Sequence, residues 1–196
     1  DFAKMLFAMI SSLRGSICSY QGEELGLTEA DIAFEDIQDP YGITFWPQFK
    51  GRDGCRTPHP WQKDAKHAGF TEGKPWLPVS TEHAEKSVDS QCKAVGSVLN
   101  SYRNFNKWRK DQPALRYGAI KFINTDEPLL TFIREFEGEQ LLVCFNFSNQ
   151  NHSIALSSLT AHSDQLTPIT EHQLVSATVT DGTLNIPAFG CFYSKL

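Results

Sequence analysis

The sequence predicts an α+β protein in which a helical, loop-rich part (residues 1–117) precedes an antiparallel β-sandwich (residues 118–196). Three observations support this fold class. Apolar residues recur at helical spacing at the start of the chain and again before residue 111. Residues 21–80 are rich in Gly, Pro, Asp and Trp. After about Gly118 the apolar period changes from 3.6 to 2, which is typical of strands with one buried face.

The first element is an amphipathic helix over residues 1–13. Its apolar positions follow the i, i+3, i+4, i+7 pattern, with Asp1 in the first turn and Gly15 just after the end. Residues 16–20 form a short run with Ile17 and Cys18 at its centre, and we interpret this run as one buried strand.

The middle of the chain is expected to consist of long ordered loops with short helical turns. Loops this long in a domain usually belong to a binding or catalytic face, so residues 21–80 are expected to form one. A second helix is predicted over residues 95–110, since apolar residues again recur at helical spacing and three basic residues follow. Pro113 is expected to act as a stop signal beyond that helix.

The last part of the chain alternates apolar and polar residues. Residues 130–136 and 141–147 read as the two arms of a β-hairpin around a turn at Glu137-Gly138-Glu139. Further short strands are predicted in segments separated by Ser, Thr, Asp and Gly: residues 152–156, 174–179, 184–186 and 189–195.

Composition excludes several classes of function. The 196 residues carry a formal net charge of −5 without a Lys/Arg cluster, so neither nucleic acid nor an anionic membrane is expected as a partner. The longest apolar runs fall far short of a membrane span, so we expect a soluble protein. Five scattered cysteines without C-x-x-C spacing indicate neither a disulfide framework nor a zinc site. We expect a reducing, cytoplasmic location, and no residue demands a metal or organic cofactor.

Two motifs and two shorter segments carry a resemblance. The chain contains YQGEELG at residues 20–26 and GRDGCRTP at residues 51–58, the latter followed by Pro60-Trp61. AGF follows at residues 68–70, and Pro75-Trp76 comes after it. Together these segments closely resemble the α-glucosidases of glycoside hydrolase family 13, and the resemblance covers nearly the whole chain.

The resemblance implies the last part of a (β/α)₈ barrel followed by a C-terminal β-domain. Residues 1–13 would be helix seven, residues 16–20 strand eight and residues 95–110 helix eight, with the long loops facing the active site. Retaining glycosidases place a carboxylate nucleophile and a carboxylic acid about 5 Å apart. The resemblance places the family's catalytic acids upstream of this sequence. The chain alone is therefore expected to be inactive without the N-terminal barrel portion of the same protein.

The resemblance also implies a substrate-binding role for Arg52. In the family, this arginine lies beside the non-reducing glucose and pairs with an Asp from early in the barrel. A planar guanidinium can pair with that carboxylate and donate to sugar hydroxyls, so that the pocket accepts only a terminal glucose. Glu29, in the loop after strand eight, is a weaker candidate that could contact a +1 sugar.

Four other charged residues are assigned to loop structure. Asp53 and Arg56 are expected to organise the turn of the second motif. Glu23 and Glu24 resemble a catalytic pair, but adjacent residues leaving a strand point in different directions and cannot flank one bond.

Aromatic, histidine and cysteine residues suggest further roles. Tyr41, Phe45 and Trp46 form either a stacking platform for a glucose ring or the small core of their loop.

His59 stands where the family has Met and is not assigned as a base. The remaining histidines are expected to be solvated surface residues rather than metal ligands (His67, His83, His152, His162 and His172). Inert core roles are expected for two cysteines in predicted strands, Cys144 and Cys191.

The expected function is release of glucose from the non-reducing end of short α-glucosides by a retaining enzyme of which this chain is a C-terminal part. One alternative is a transglycosidase or isomerase of the same family that acts on sucrose or trehalose. Another is a non-catalytic carbohydrate-binding or structural module. Arg52 and Asp53 favour an active parent, and the presence of the upstream acids would discriminate these alternatives.

Overall fold

The computed structural model describes residues 1–161 and 166–196. The chain divides into two units, which are described separately. The β unit consists of Asp1–Cys18 and Ser101–Leu196, and the loop unit consists of Ser19–Asn100. Within the part of the chain that is described, no helix combines the length and apolarity that crossing a bilayer requires.

Six α-helices and seven strands make up the regular structure of the described residues. The helices are α1 (Phe2–Ser12), α2 (Pro40–Phe45), α3 (Thr81–Glu85), α4 (Val88–Lys93), α5 (Val98–Lys110) and α6 (Pro113–Tyr117). The strands are β1 (Ala119–Ile123), β2 (Leu129–Phe136), β3 (Glu139–Asn146), β4 (His152–Ala155), β5 (Thr178–Thr180), β6 (Thr183–Ile186) and β7 (Cys191–Lys195).

The first predicted helix is confirmed as α1. Its buried face is not the one that the apolar spacing predicts, since Met5, Phe7 and Ala8 are buried whereas Phe2 and Ile10 of the apolar stripe are exposed. The Phe7 ring stacks on Tyr102 with centroids 3.4 Å apart, which attaches α1 to the rest of the β unit. Burial of these side chains, rather than helix propensity alone, stabilises an 11-residue helix.

The structure does not confirm the predicted buried strand at residues 16–20. These residues form no β-ladder with any described strand, and Ile17 alone among them is even partly buried. A strand exists only when a neighbour accepts its backbone hydrogen bonds. The apolar pattern alone does not show whether a neighbouring strand is present.

The second predicted helix is confirmed, with a later start. Helix α5 begins at Val98 because Ser97 Oγ accepts a hydrogen bond from the Asn100 backbone N–H at 3.1 Å, which caps the helix. Val95 is 88% exposed and lies outside it. Pro113 does more than stop α5, since it occupies the first turn of α6, where its missing N–H is not needed.

Two antiparallel sheets form the strand-rich part of the β unit. One has the strand order β1-β2-β3-β7 and the other β4-β6-β5. The predicted hairpin is confirmed as β2 and β3, with Phe132 opposite Val143. Strand β1 was not predicted. Residues of both sheets and of the segments that connect their strands share one apolar core: Leu142, Cys144, Leu156, Leu159, Leu166, Ala177, Leu184, Ile186 and Phe192. Burial of Cys144 and Cys191 confirms the prediction that both cysteines are core residues.

A buried arginine joins α1 to the strands of this unit. Arg134, on β2, is 1% exposed and donates to four carbonyl oxygens: those of Ser12, Leu13, Gly118 and Ala119, at distances from 2.5 to 3.2 Å. Burial lowers the pKa of Arg134 to about 10, so the guanidinium stays charged at neutral pH. Its donors satisfy carbonyls at the end of α1 that the helix itself leaves unpaired.

His172 corrects one prediction made from the sequence. It is fully buried rather than solvated, and its ring lies at the edge of Trp108 with centroids 5.2 Å apart. His172 Nδ1 accepts from the Leu174 backbone N–H at 3.1 Å. An isolated histidine in a polar segment gave no sign that an aromatic cluster would cover it. His162 lies outside the described residues.

The loop unit has a small apolar core of its own. Ile32, Ile37 and Leu77 form this core, and Trp46 packs against it. Short 3₁₀ turns at Glu23–Leu25, Phe34–Asp36, Asp53–Cys55 and Lys66–Gly69 connect the loop segments, as the sequence predicts for residues 21–80. Of the three aromatic residues considered as a platform, Trp46 therefore belongs to the core. Tyr41 and Phe45 are exposed and stack on each other with centroids 6.3 Å apart.

Candidate functional site

The centre of the candidate site is Asp39, which neither of the two sequence motifs contains. Its carboxylate is 4% exposed and lies where residue 39 caps helix α2. Asp39 Oδ1 accepts from the Tyr41 backbone N–H at 3.0 Å, and Oδ2 accepts from the Arg52 backbone N–H at 2.9 Å. The dipeptide Asp39-Pro40 is a recognisable helix-start signal, since Asp favours the N-cap and Pro the first helical position.

A second buried carboxylate holds Asp39 in place. Asp53 is 1% exposed, and its Oδ2 accepts from the backbone N–H groups of Gln38 at 2.6 Å and Asp39 at 2.7 Å. Asp53 Oδ1 has no hydrogen-bond partner among the described residues, although Arg56 Nη1 lies 3.8 Å away. The structure thus places Asp53 under the turn that carries Asp39.

Arg52 and Arg56 meet at the same carboxylate oxygen. Arg52 Nε lies 3.8 Å from Asp39 Oδ2, and Arg56 Nη1 lies 3.5 Å from it. The side chain of Arg52 is 66% exposed, whereas that of Arg56 is 33% exposed. Arg52 therefore extends from an anchored backbone into solvent, with most of its guanidinium donors directed away from the carboxylate.

Close packing of the backbone fixes this arrangement. Gly51 has a φ of +78°, and a Cβ there would lie 2.8 Å from Asp39 Cβ. A Cβ on Gly54 would lie 2.5 Å from Glu29 Cγ. Glycine is thus required at both positions because a Cβ would lie too close to a neighbouring residue. At Gly51 it is also required by the positive φ. The second contact also shows that Glu29 lies beside the turn that carries Arg52.

The electrostatics of the site keep Asp39 ionised. The backbone hydrogen bond from Arg52, those from Tyr41 and Gly42, and the nearby Arg56 charge lower the pKa of Asp39, while burial opposes them. A carboxylate that accepts several N–H groups strongly favours its charged form. Asp39 is accordingly a fixed negative charge beneath two guanidinium groups.

Each of the two glutamates of the first motif forms hydrogen bonds to nearby residues. Glu24 Oε2 accepts from the Gly22 backbone N–H at 2.9 Å, and Glu24 Oε1 lies 2.6 Å from His59 Nε2. Glu23 Oε2 accepts from Ser19 Oγ at 3.2 Å. His59 therefore has a carboxylate partner and also packs on Trp61.

His83 corrects the prediction of a solvated histidine. It is 2% exposed and joins two segments of the loop unit. Its Nε2 donates to the Thr28 carbonyl at 2.9 Å, since a carbonyl can only accept, and its Nδ1 pairs with Thr57 Oγ1 at 3.0 Å. His83 thus fixes Thr57, which follows Arg56 in the second motif. Within residues 1–161 and 166–196, no group of three or more His, Cys, Asp or Glu is placed to hold a metal ion.

Comparison with known proteins identifies the family. The alpha-amylase catalytic domain matches residues 1–118. A probable alpha-glucosidase of Rhizobium meliloti (strain 1021) is 43% identical over 194 residues, which cover 99% of this chain and 34% of the relative. An oligo-1,6-glucosidase of Parageobacillus thermoglucosidasius is 33% identical over 169 residues, or 76% of this chain and 30% of the relative.

A solved structure supports the same assignment. The crystal structure of the alpha-glucosyl transfer enzyme XgtA superposes with a TM-score of 0.92 at 48% identity, covering 99% of this chain and 35% of that one. The chain belongs to the alpha-amylase family, and its helices and antiparallel sheets have that family's fold. It spans about a third of the length of the curated relatives that it matches.

Proposed function

We propose that this chain is the C-terminal part of a retaining α-glucosidase and that Arg52 lines its pocket for the terminal glucose. The observation that carries the proposal is the geometry of Arg52: an anchored backbone, an ionised carboxylate beneath it and a guanidinium that extends into solvent. Names of two relatives, an alpha-glucosidase and an oligo-1,6-glucosidase, support the substrate class of short α-glucosides.

The proposal gives each charged residue of the second motif a task. Asp39 stays anionic and orients Arg52, so that the free side of the planar guanidinium donates to the hydroxyls of a glucose ring. Asp53 and Arg56 maintain the turn. Glu29, beside Gly54, is the candidate contact to the next sugar.

The finer architecture is part of the proposal. We place α1 at helix seven, residues 16–20 at strand eight and α5 at helix eight of a (β/α)₈ barrel, with the two antiparallel sheets as a C-terminal sandwich. The proposed domains are residues 1–117 and 118–196. Two observations support this division: α6 ends at Tyr117, and the catalytic-domain match ends at residue 118.

The catalytic acids are proposed to lie in the N-terminal barrel portion of the same protein. The neighbours of residues 16–20 are then barrel strands of that portion, which accounts for the lack of a β-ladder at these residues among the described strands. This chain is expected to be inactive by itself. We further propose a cytoplasmic location, as the scattered cysteines suggest.

The test is Arg52→Ala in the intact protein that contains this chain. Loss of a charged hydrogen-bonded contact should lower kcat/KM for maltose by about tenfold to a hundredfold. Arg52→Lys should recover only part of the loss, because an ammonium lacks the planar fork. Arg14→Ala, which removes an exposed arginine of the β unit, serves as the control.

A folded Arg52→Ala protein with unchanged kcat/KM would refute the role of this residue in the pocket. Product analysis in the same assay separates hydrolysis from glucosyl transfer. Free glucose as the main product supports the hydrolase. Predominant transfer products would instead favour alpha-glucosyl transfer, the activity in the name of the structural relative XgtA.

A further inference from the structure

The C-terminal end of helix α1 is held by side chains from elsewhere in the β unit. Its last turn contains no basic residue of its own, and the chain leaves the helix through Leu13 in an extended conformation. Arg109 of α5 donates from Nε to the Ser11 carbonyl at 2.7 Å. Arg134 of β2 donates from Nη1 to the carbonyls of Ser12 at 2.5 Å and Leu13 at 3.0 Å. Three successive carbonyls at this helix end therefore accept from two guanidinium groups.

A tyrosine of the last strand makes a third attachment. Tyr193 is fully buried on β7, and its hydroxyl oxygen lies 2.7 Å from Ser12 Oγ. Ser12 Oγ donates its single proton to the Ala8 carbonyl at 2.7 Å, so Tyr193 is the donor in the pair. The rings of Trp108 and Phe145 contact the Tyr193 ring, with centroids 5.0 and 5.8 Å away, and hold its hydroxyl in place. The end of α1 is thereby attached to α5, β2 and β7.

This arrangement holds two like charges close together. Cations beside a helix C-terminus are favourable because the unpaired carbonyls there carry partial negative charge. Burial lowers the pKa of Arg109, and burial together with the charge of Arg109 lowers the pKa of Arg134 to about 10. Both groups stay charged at neutral pH although they repel each other. Buried polar networks whose members are paired rigidify the segment that they hold, so the end of α1 is held in one position.

The held end of α1 leads directly into the segment that precedes the first motif. Only Arg14 and Gly15 separate Leu13 from residues 16–20, so a displacement of the helix end is transmitted through a short connection. Residues 16–20 are strand eight in the proposed function, and the first motif begins at Tyr20. The position of the helix end therefore bears on the position of that motif.

We propose that Arg109, Arg134 and Tyr193 are positioning residues for the reaction. They contact no substrate and act through the C-terminal end of α1 and the segment that follows it. A misplacement of about 1 Å, caused by a substitution far from the chemistry, can lower a rate about a hundredfold. The inference rests on the proposed function, and it gives the β unit a part in the reaction.

The experiment uses conservative variants of the intact protein. Arg134→Lys keeps the charge but loses the planar fork, so one ammonium must replace donors to four carbonyls. Well below the Tm of the variant, kcat/KM for maltose should fall about tenfold and KM should rise at least about threefold. Arg109→Lys affects one carbonyl of α1, so its kcat/KM should fall only about threefold.

Two controls separate positioning from loss of stability. Leu184→Ala, in the apolar core shared by the two sheets, should lower the Tm by creating a cavity but leave kcat/KM unchanged at the same temperature. Arg116→Lys alters an exposed arginine that donates to the Lys110 carbonyl and should change neither quantity. A partly unfolded sample has fewer active molecules but the same KM, so a raised KM reports displacement rather than unfolding.

Amide hydrogen exchange of residues 16–26 gives a readout that needs no activity. Arg134→Lys should accelerate exchange there more than Leu184→Ala does. A folded Arg134→Lys protein with a lowered Tm and unchanged kcat/KM and KM would overturn the inference, because the network would then serve stability alone. If Arg134→Lys does not fold, the same measurements on Arg109→Lys decide.

The failure of the proposed function has a different signature. If the intact wild-type protein does not cleave maltose, the proposed function fails and exchange at residues 16–26 decides this inference. Acceleration confined to the variants at the end of α1 would support positioning of the segment. Equal exchange in those variants and in Leu184→Ala would overturn it.

Discussion

Arg52 and Arg134 show how differently the two units use the same side chain. Arg134, in the β unit, is 1% exposed, and each of its three side-chain nitrogens donates to a backbone carbonyl. Arg52, in the loop unit, is 66% exposed, and its side chain approaches a single carboxylate at 3.8 Å. The β unit uses the guanidinium to satisfy its own backbone. The loop unit anchors the backbone of Arg52 and leaves most of its side chain exposed.

The surroundings of the two arginines explain the difference. The β unit buries an apolar core between its sheets, so a charge within it must find every partner inside the protein. The loop unit buries the carboxylates of Asp39 and Asp53 instead, and pairs them with backbone N–H groups. A buried polar framework of this kind rigidifies loops that have few apolar contacts. Rigid loops with exposed donors are suited to binding.

The largest expected effect comes from removing the buried arginine. Arg134→Met should lower the free energy of unfolding by about 3 kcal/mol or more, because several buried carbonyls lose a charged donor. Arg52→Ala should change it by less than about 0.5 kcal/mol, since an exposed side chain contributes little. Urea denaturation of both variants measures the contrast. Equal destabilisation by the two substitutions would show that Arg134 and Arg52 do not differ in their contribution to stability.

The second prediction is that the free energy of unfolding depends on pH through His172. Burial lowers the pKa of His172 to about 4, so the folded protein holds this ring neutral while the unfolded chain binds a proton below about pH 6.5. Stability is therefore lost as pH falls from about 6.5 to about 4, by about 3 kcal/mol in total.

Comparison of wild type with His172→Gln isolates this contribution. The Gln carbonyl can accept from the Leu174 N–H as His172 Nδ1 does, but it does not titrate. Urea denaturation at pH 7 and pH 4 should show a smaller loss of stability for the variant. Identical losses would show that the buried ring does not control the acid sensitivity of the β unit.

The smallest expected effect is local to the loop unit. Asp53→Asn replaces a carboxylate that accepts two short hydrogen bonds with a neutral amide and should cost about 1 to 2 kcal/mol. Amide hydrogen exchange of Gln38 and Asp39 should accelerate, with the β unit unaffected. Asp31→Asn, at a site where the side chain is 80% exposed, is the control. Unchanged exchange in Asp53→Asn would show that the turn does not depend on this charge.

The sequence predicted elements best where one apolar pattern ran for many residues. Helices α1 and α5 and the hairpin β2–β3 are predictable because apolar residues repeat at a regular period along each of them, although the side chains that α1 buries are not the ones its apolar stripe marks. Helices α3, α4 and α6 escape prediction because five or six residues are too few to show a period. The segment at residues 16–20 reads as a strand because its apolar pattern cannot reveal whether a neighbouring strand is present.

The site was predicted only in part for a similar reason. The resemblance draws attention to Arg52, Asp53 and Arg56, which are close in sequence and lie together in the structure. Asp39 escapes notice because 13 residues separate it from Arg52 along the chain. The predictions for His83 and His172 are wrong because their partners come from other segments.

By itself, the sequence determined that two long segments are helical, that a β-hairpin follows, and which motifs link the chain to the alpha-amylase family. Each of these depends on side chains within a few positions of one another. Only the tertiary structure decided that Asp39 lies under two arginines and that Arg134 and His172 are buried. These features depend on contacts between distant segments, because burial and charge pairing are set by whichever residues the fold brings within a few ångströms.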